Sequence, residues 1–252
     1  MESTYGNRDH PDTDLKEALG EVVNRGIKRG GVILMASFAV GRAQQLTYLL
    51  QLLKCDGVIP DLPIYIDSPM ACNATEIYRE HSIDHDLSEG ELCGDRPVLD
   101  GPAVHLCRSA DESKALNHIN HPAIIIASSG MMTGGRIIHH LKQRLANPQT
   151  TIIMGGYQAV GTRGRSLEEG AETLRMHGME IPVRAAIEKV PGLSGHADRA
   201  GLLRWLKDLP APKQTFMTHG EPESAAALAE TLRSQRGWDV VEPALGDSVE
   251  LG

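Results

Sequence analysis

Two hydrophobic periods alternate along most of this chain. "DLKEALGEVVNRGIKRG" places apolar residues at helical spacing and closes on glycine, which predicts an amphipathic helix. "GVILMAS" is a short unbroken apolar run, the pattern of a strand buried on both faces in a parallel sheet. The pair of signals then repeats. Helices are expected at "GRAQQLTYLLQLL", "MACNATEIYREH", "SADESKALNHI" and "GRIIHHLKQRLA", and strands at "PIYIDS", "VHLC", "AIIIASS" and "TTIIMGG". Repeated strand–helix units of this kind predict an α/β fold, a mainly parallel sheet with helices on both faces.

The rhythm changes near Met176. "HGMEIPVRAAIEKV" reads as a strand pair or one long bent strand. A helix follows at Ala200–Leu209, then a strand at "QTFMTHG", a helix at "PESAAALAETLRSQRG" and a last strand near "SVEL". A central α/β domain is therefore expected from about His10 to about Met176, with flanking pieces that belong elsewhere. "HSIDHDLSEGELCGDRPVLDGPAV" has neither period and reads as a surface loop with a short helix.

Composition narrows the picture modestly. The chain has 252 residues, 41% hydrophobic and 23% charged, enough for one large or two smaller domains. Aromatic residues make up only 4%, so the core rests on aliphatic side chains. No apolar run approaches a membrane span, and "MESTYGNRDH" is not a signal peptide. Cys55, Cys72, Cys93 and Cys107 show no CxxC spacing and are expected to be reduced, in a cytoplasmic protein. The net charge of −8 argues against a wholly basic nucleic-acid surface but leaves room for a local basic groove.

Open parallel sheets bind ligands at the C-terminal ends of their strands. Three such ends carry small-residue loops: "ASFAVGRAQQ", "ASSGMMTGGR" and "GGYQAVGTRGRSL". Glycine lets backbone approach an anion, and helix N-termini attract phosphate. Arg42, Arg136, Arg163 and Arg165 could add charge-assisted contacts. Ser128, Ser129, Thr133 and Thr162 in the same loops are further candidates for phosphate contact. Neither GxxxxGK[ST] nor GxGxxG is present, which disfavours a nucleotide pocket or a dehydrogenase and favours a track for a phosphate-rich polymer.

Of the eleven histidines, His118, His121, His139 and His140 read as surface or packing residues. "HSIDHD" resembles half of an HxHxDH metal motif, but Ile83 stands where the middle histidine is needed. His196 and His219 differ, because both lie at element boundaries beside glycine. Two histidines with nearby acids do not by themselves complete a zinc site.

Several blocks in fixed order carry a resemblance: "ESTYGNRDH", "ASFAVGRAQQLTYLL", "PIYIDSPMA", "ASSGMMTGGRIIHHL", "MGGYQAVGTRGRSL", "GLSGHADRAGLLRWL" and "THGEPESAAALAETL". In these the chain resembles the β-CASP family of metallo-β-lactamase-fold RNA-processing nucleases. The resemblance implies that Glu2 and His196 are catalytic, with His196 oriented by Glu2 and giving a proton to the leaving oxygen or holding the scissile phosphate. It implies that His219 ligates one of two zinc ions, and that the substrate is RNA, since the DNA-processing branch tends to carry Val at the position of His219.

The domain layout it implies is 1–10 as a remnant of a metallo-β-lactamase domain, 11–178 as the β-CASP domain and 179–252 as the C-terminal segment of the lactamase-like domain. The family's HxHxDH does not occur in this sequence. The chain is accordingly expected to be part of a larger zinc ribonuclease, inactive alone, whose partner is an N-terminal metallo-β-lactamase half. Homodimers through apolar surface on the terminal segments are a further expectation. The alternative is a catalytically inactive RNA-binding module.

Overall fold

The computed structural model describes residues 1–87, 92–93 and 97–250. The chain forms two compact units, one of residues 13–193 and one of residues 1–12 with 194–252.

The larger unit begins with α1 (Leu15–Arg29), whose Asp14 N-cap accepts the Glu17 amide and whose Gly30 C-cap is left-handed at φ 82°. There follow β1 (Ile33–Ala36), α2 (Arg42–Cys55), β2 (Ile64–Asp67) and α3 (Pro69–Glu80). Ser68 caps α3, and Pro69 opens it where no amide donor is needed. Next come β3 (Val104–Leu106), α4 (Ala110–Ala115) with a capping box between Ser109 and Glu112, β4 (Ile124–Ala127), α5 (Arg136–Arg144) and β5 (Thr151–Met154). The unit closes with α6 (Arg163–Glu168), β6 (Thr173–Met176), β7 (Met179–Pro182) and β8 (Ala186–Lys189).

Six strands form one parallel sheet in the order β3-β2-β4-β1-β5-β8. Alternate residues of each strand enter opposite cores. Ile33, Met35, Ile64, Ile66, Ile124 and Ile126 pack with α1 and α2, represented by Leu19, Val23, Leu46 and Leu50. Leu34, Ala36, Ile125 and Ile152 pack with Ile137 and Leu141 of α5. All residues of β1, β4 and β5 are buried, which is why these strands read as apolar runs, broken only by Thr151 at the start of β5.

The smaller unit holds α7 (Arg199–Trp205), β9 (Thr215–Phe216), α8 (Pro222–Arg236) and β10 (Val240–Val241). β9 and β10 pair in parallel. Leu202, Leu206, Met217, Leu228, Leu232, Trp238 and Val240 form its core.

The structure departs from the sequence reading at several points. Cys55 and Cys93 form a disulfide with a Cα–Cα distance of 5.2 Å, so the expectation of four reduced cysteines is wrong for this pair. The partners are 38 residues apart and meet only because the fold brings the end of α2 to residue 93. Cys72 and Cys107 are free and buried, and burial pushes the Cys107 thiol up to about 12. The strand expected near "SVEL" is absent from 248–250, with Leu251 outside the described residues; the last strand is β10 instead. The "HGMEIPVRAAIEKV" segment yields two strands in different sheets, β7 antiparallel to β6 and β8 parallel to β5. The compact units part after Leu193, and β7 and β8 lie between residue 178 and that point.

Candidate functional site

The smaller unit gathers Glu2, His196 and His219 through two short pairings of its N-terminal segment. Glu2 bridges Thr218 and Tyr5 bridges Asp198, both in parallel. The Thr218 amide donates to the Met1 carbonyl at 2.9 Å, and the Ser3 hydroxyl donates to the Thr218 carbonyl at 3.0 Å. Residues 1–5 therefore lie between the segment before α7 and the segment after β9. Gly220 allows this approach, since a Cβ there would stand 2.6 Å from the Ser3 carbonyl oxygen. His219 itself has φ 58°, a left-handed conformation rare outside glycine, which turns its side chain at the strand end.

His196 is fixed from behind. Asp198 caps α7 by accepting the Gly201 amide at 2.7 Å, and it also accepts the His10 amide at 2.9 Å. Those two amide bonds hold the Asp198 carboxyl below its ordinary value. The His10 Nε2 lies 3.1 Å from the His196 carbonyl, and the His10 ring packs edge-on against Tyr5 at 4.6 Å.

At the centre, His196 Nδ1 lies 3.2 Å from Glu2 Oε2, with both side chains about one-third exposed. The two imidazole rings are 5.1 Å apart. Burial alone would raise the Glu2 carboxyl, but hydrogen bonds from Thr4 and the attraction of His196 outweigh it and hold Glu2 below its ordinary value. Glu2 is thus an anion beside His196 at neutral pH.

The potential ligand atoms of Glu2, His196 and His219 lie within 4.8 Å of one another, and among the described residues this is the one such cluster. Two imidazoles and a carboxylate are the donor set of a three-ligand catalytic zinc, so the residues fit one such ion chemically. They are too few for two ions.

The larger unit carries the arginine loops. Thr133, Gly134, Gly135, Arg136, His139 and Arg163 line a cavity of about 470 Å³ beside the N-terminus of α5. Gly135, at φ 75°, presses on the Ser128 carbonyl and leaves no room for a side chain. Ser129 Oγ accepts the Thr133 amide at 3.1 Å, which folds the loop back on itself. Arg163 donates to the carbonyls of Arg175, Met132 and Thr133 and so ties α6 to this loop. Arg165 donates to Glu169 Oε1 at 2.6 Å, and Thr162 donates to the Ala159 carbonyl at 2.7 Å, partners that flank α6. Arg42 opens α2 and donates to Gln45 at 2.6 Å. The structure therefore brings Thr133, Arg136 and Arg163 to one cavity, with Ser128 and Ser129 in the adjoining loop. Arg42, Thr162 and Arg165 do not line it.

Sequence reasoning missed what Arg136 does. Its guanidinium donates to Asp67 Oδ1 at 2.6 Å and to the carbonyls of Cys107 and Arg108. Asp67, fully buried at the end of β2, also accepts from Ser113 and meets His140 Nε2, each at 2.6 Å. Burial would raise the Asp67 carboxyl, but bonds from His140, Ser113 and Arg136 outweigh it and hold it below its ordinary value. The one available signal was an aspartate closing an apolar strand in "PIYIDS".

Comparison with known proteins adds a frame to this geometry. Residues 43–167 match the model of the Beta-Casp domain, and residues 180–243 match that of the Zn-dependent metallo-hydrolase RNA specificity domain. Ribonuclease TTHA0252 of Thermus thermophilus is 34% identical over 99% of this chain and 57% of its own length. Transcription termination factor FttA of Pyrococcus abyssi is 35% identical over 100% of this chain and 40% of its own length. The RNase J-like protein of Methanocaldococcus jannaschii is 33% identical over 92% of this chain and 54% of its own length. The chain thus spans between 40% and 57% of the length of these curated relatives.

Proposed function

The chain belongs to the β-CASP metallo-β-lactamase family, and from that premise we propose that it supplies the RNA-binding domain and the proton-donating histidine of a zinc-dependent ribonuclease. The observation that carries this reading is the convergence of Glu2, His196 and His219 within one compact unit. His219 would hold a zinc ion. When bound, zinc supplies a hydroxide at neutral pH and neutralises charge on the scissile phosphate.

The remaining roles fall to the chain's own groups. Glu2 anchors His196 at Nδ1, which leaves Nε2 to carry a proton to the departing oxygen. In the larger unit, the RNA backbone meets the glycine loops around the α5 N-terminus, with Arg163 and Thr133 at the cavity. Arg136 holds the loop through Asp67 and serves the phosphate track by shaping it. Among the described residues no helix is long and apolar enough to cross a membrane.

Among the described residues this cluster could complete at most one catalytic ion, and with Glu2 and His196 given to proton transfer only His219 of the three is left to zinc, so a two-zinc centre would take its further ligands from a metallo-β-lactamase-like half working with this chain. The same donor count favours a second reading, an RNA-binding module without cleavage. The test is zinc analysis and RNA hydrolysis, with the chain alone and joined to the lactamase-like half of a ribonuclease relative. Alone, the chain should hold fewer than two zinc ions and leave RNA intact. Joined, it should hydrolyse RNA in a chelator-sensitive way, and His196→Ala should cost ~10²–10⁴ in rate while RNA binding holds. Two tight zinc ions with hydrolysis by the chain alone would refute the division of labour. No hydrolysis by the joined protein would favour the binding module.

A further inference from the structure

Between the two histidines lies Thr4, a side chain to which neither the family match nor the catalytic reading gives a role. It is 1% exposed. Its Oγ1 lies 2.9 Å from the His219 carbonyl, 3.2 Å from His219 Nδ1 and 3.4 Å from His196 Nδ1. Its backbone amide donates to Glu2 Oε2 at 3.0 Å, and its hydroxyl also stabilises the Glu2 carboxylate. One threonine thus touches all three functional residues.

A hydroxyl has one hydrogen and two lone pairs. Two of its neighbours, the His219 carbonyl and the Glu2 carboxylate, can only accept. The His219 carbonyl, at 2.9 Å, takes the hydrogen, and with either acceptor none is left for a ring nitrogen. The ring nitrogens beside Thr4 therefore face lone pairs, and each is satisfied only by carrying its own proton. His196 Nδ1–H has a second acceptor in Glu2 Oε2 at 3.2 Å.

From this we infer that Thr4 is a positioning residue that sets the tautomer of both histidines, holding each as Nδ1–H and leaving each Nε2 unprotonated. For His219 this places the free lone pair on Nε2, where a metal would be held. For His196 it makes Nε2 the nitrogen that takes up and delivers the catalytic proton. The tautomer follows from the hydrogen-bond geometry, and only its catalytic meaning rests on the ribonuclease reading. Neutral histidine in water favours the opposite, Nε2–H form, so the effect has a visible sign. A partner that fixes the second ring nitrogen is the usual companion of a ligating histidine.

The experiment is two-bond ¹H–¹⁵N correlation of the ¹⁵N-labelled chain, without added metal, above the pH range in which histidine titrates. His196→Gln and His219→Gln assign the two rings. The wild type and Thr4→Ser should both show His219 and His196 with protonated Nδ1. Thr4→Val, which keeps the shape and removes the hydroxyl, should shift the His219 tautomer ratio toward Nε2–H by at least about fivefold, the worth of one ordinary hydrogen bond. Nε2–H on His219 in the wild type overturns the inference, and so does a folded Thr4→Val with an unchanged ratio. If Thr4→Val does not fold, the wild-type and Thr4→Ser spectra still decide. RNA cleavage is not read, so the tautomers can stand or fall apart from the ribonuclease assignment.

Discussion

Asp67→Asn tests the buried cluster that anchors the α5 loop. The substitution keeps the side-chain shape and removes the charge. In the native chain Asp67 is fully buried, and its oxygens serve Arg136, Ser113 and His140, each at 2.6 Å. Removing one partner of a buried ion pair costs ~3–5 kcal/mol, because the other charge is left without compensation. Arg136 keeps the carbonyls of Cys107 and Arg108, and its side chain is 18% exposed, so water reaches part of it. The lower end applies, about 3 kcal/mol. For a chain of this size that corresponds to a Tm lowered by about 6–12 °C.

The assay is thermal unfolding of the full chain, wild type against Asp67→Asn, followed by circular dichroism across a pH series. The folded Asp67 carboxyl lies below its ordinary value of 3.8. A depressed carboxylate contributes stability that is fully present above the ordinary value and is lost as pH falls through the folded one. The part of the gap that Asp67 supplies as an anion should therefore be lost as pH falls below about 3.8. A gap under about 0.5 kcal/mol at pH 7, the range of an ordinary surface substitution, would refute the reading of Asp67 as an anchor. A gap that fails to shrink below about pH 3.8 would refute the sign.

Other outcomes follow from the same contacts. Ile125→Ala, in the middle of β4 and fully buried, should cost ~2–5 kcal/mol in urea unfolding, and a cost under 1 kcal/mol would place the core elsewhere. Asp198→Ala removes the α7 cap and the bond to His10, and should destabilise the chain by ~1–2 kcal/mol by chemical denaturation. In the protein joined to a lactamase-like half, Arg163→Ala should weaken single-stranded RNA binding and lower the salt slope by about 0.7, with zinc content unchanged. In that protein His219→Ala should lower zinc occupancy and rate together, whereas His196→Ala should spare zinc. An affinity loss as large as the rate loss in His196→Ala would make His196 a phosphate clamp rather than the acid.

How far the sequence could be read depends on how local each interaction is. β1, β4 and β5 were legible because all their residues are buried, so each is apolar throughout except for Thr151 at the start of β5. The pair β6 and β7 was not legible as such, since only Leu174, Met176 and Ile181 of it are buried and the turn between uses His177 and Gly178 at positive φ. The short helix α6 hides in a glycine-rich stretch because Thr162 capping, not apolar periodicity, starts it. Polar bonds to near neighbours leave a mark in the sequence, as Asp14, Ser68 and Ser109 do before their helices. Polar bonds between distant residues leave none. Thr4 meets His196 across 192 residues and His219 across 215, and Asp67 meets His140 across 73. Glycine beside His196 and His219 marked both as unusual, but the pairing with Glu2 came only through the family resemblance. A site assembled from long-range polar contacts is therefore invisible to periodicity even when the sheet that carries its neighbours is plain. Thr4 shows the limit most clearly: nothing in "ESTYG" marks the hydroxyl, and only its distances to two rings and a carbonyl give it a role.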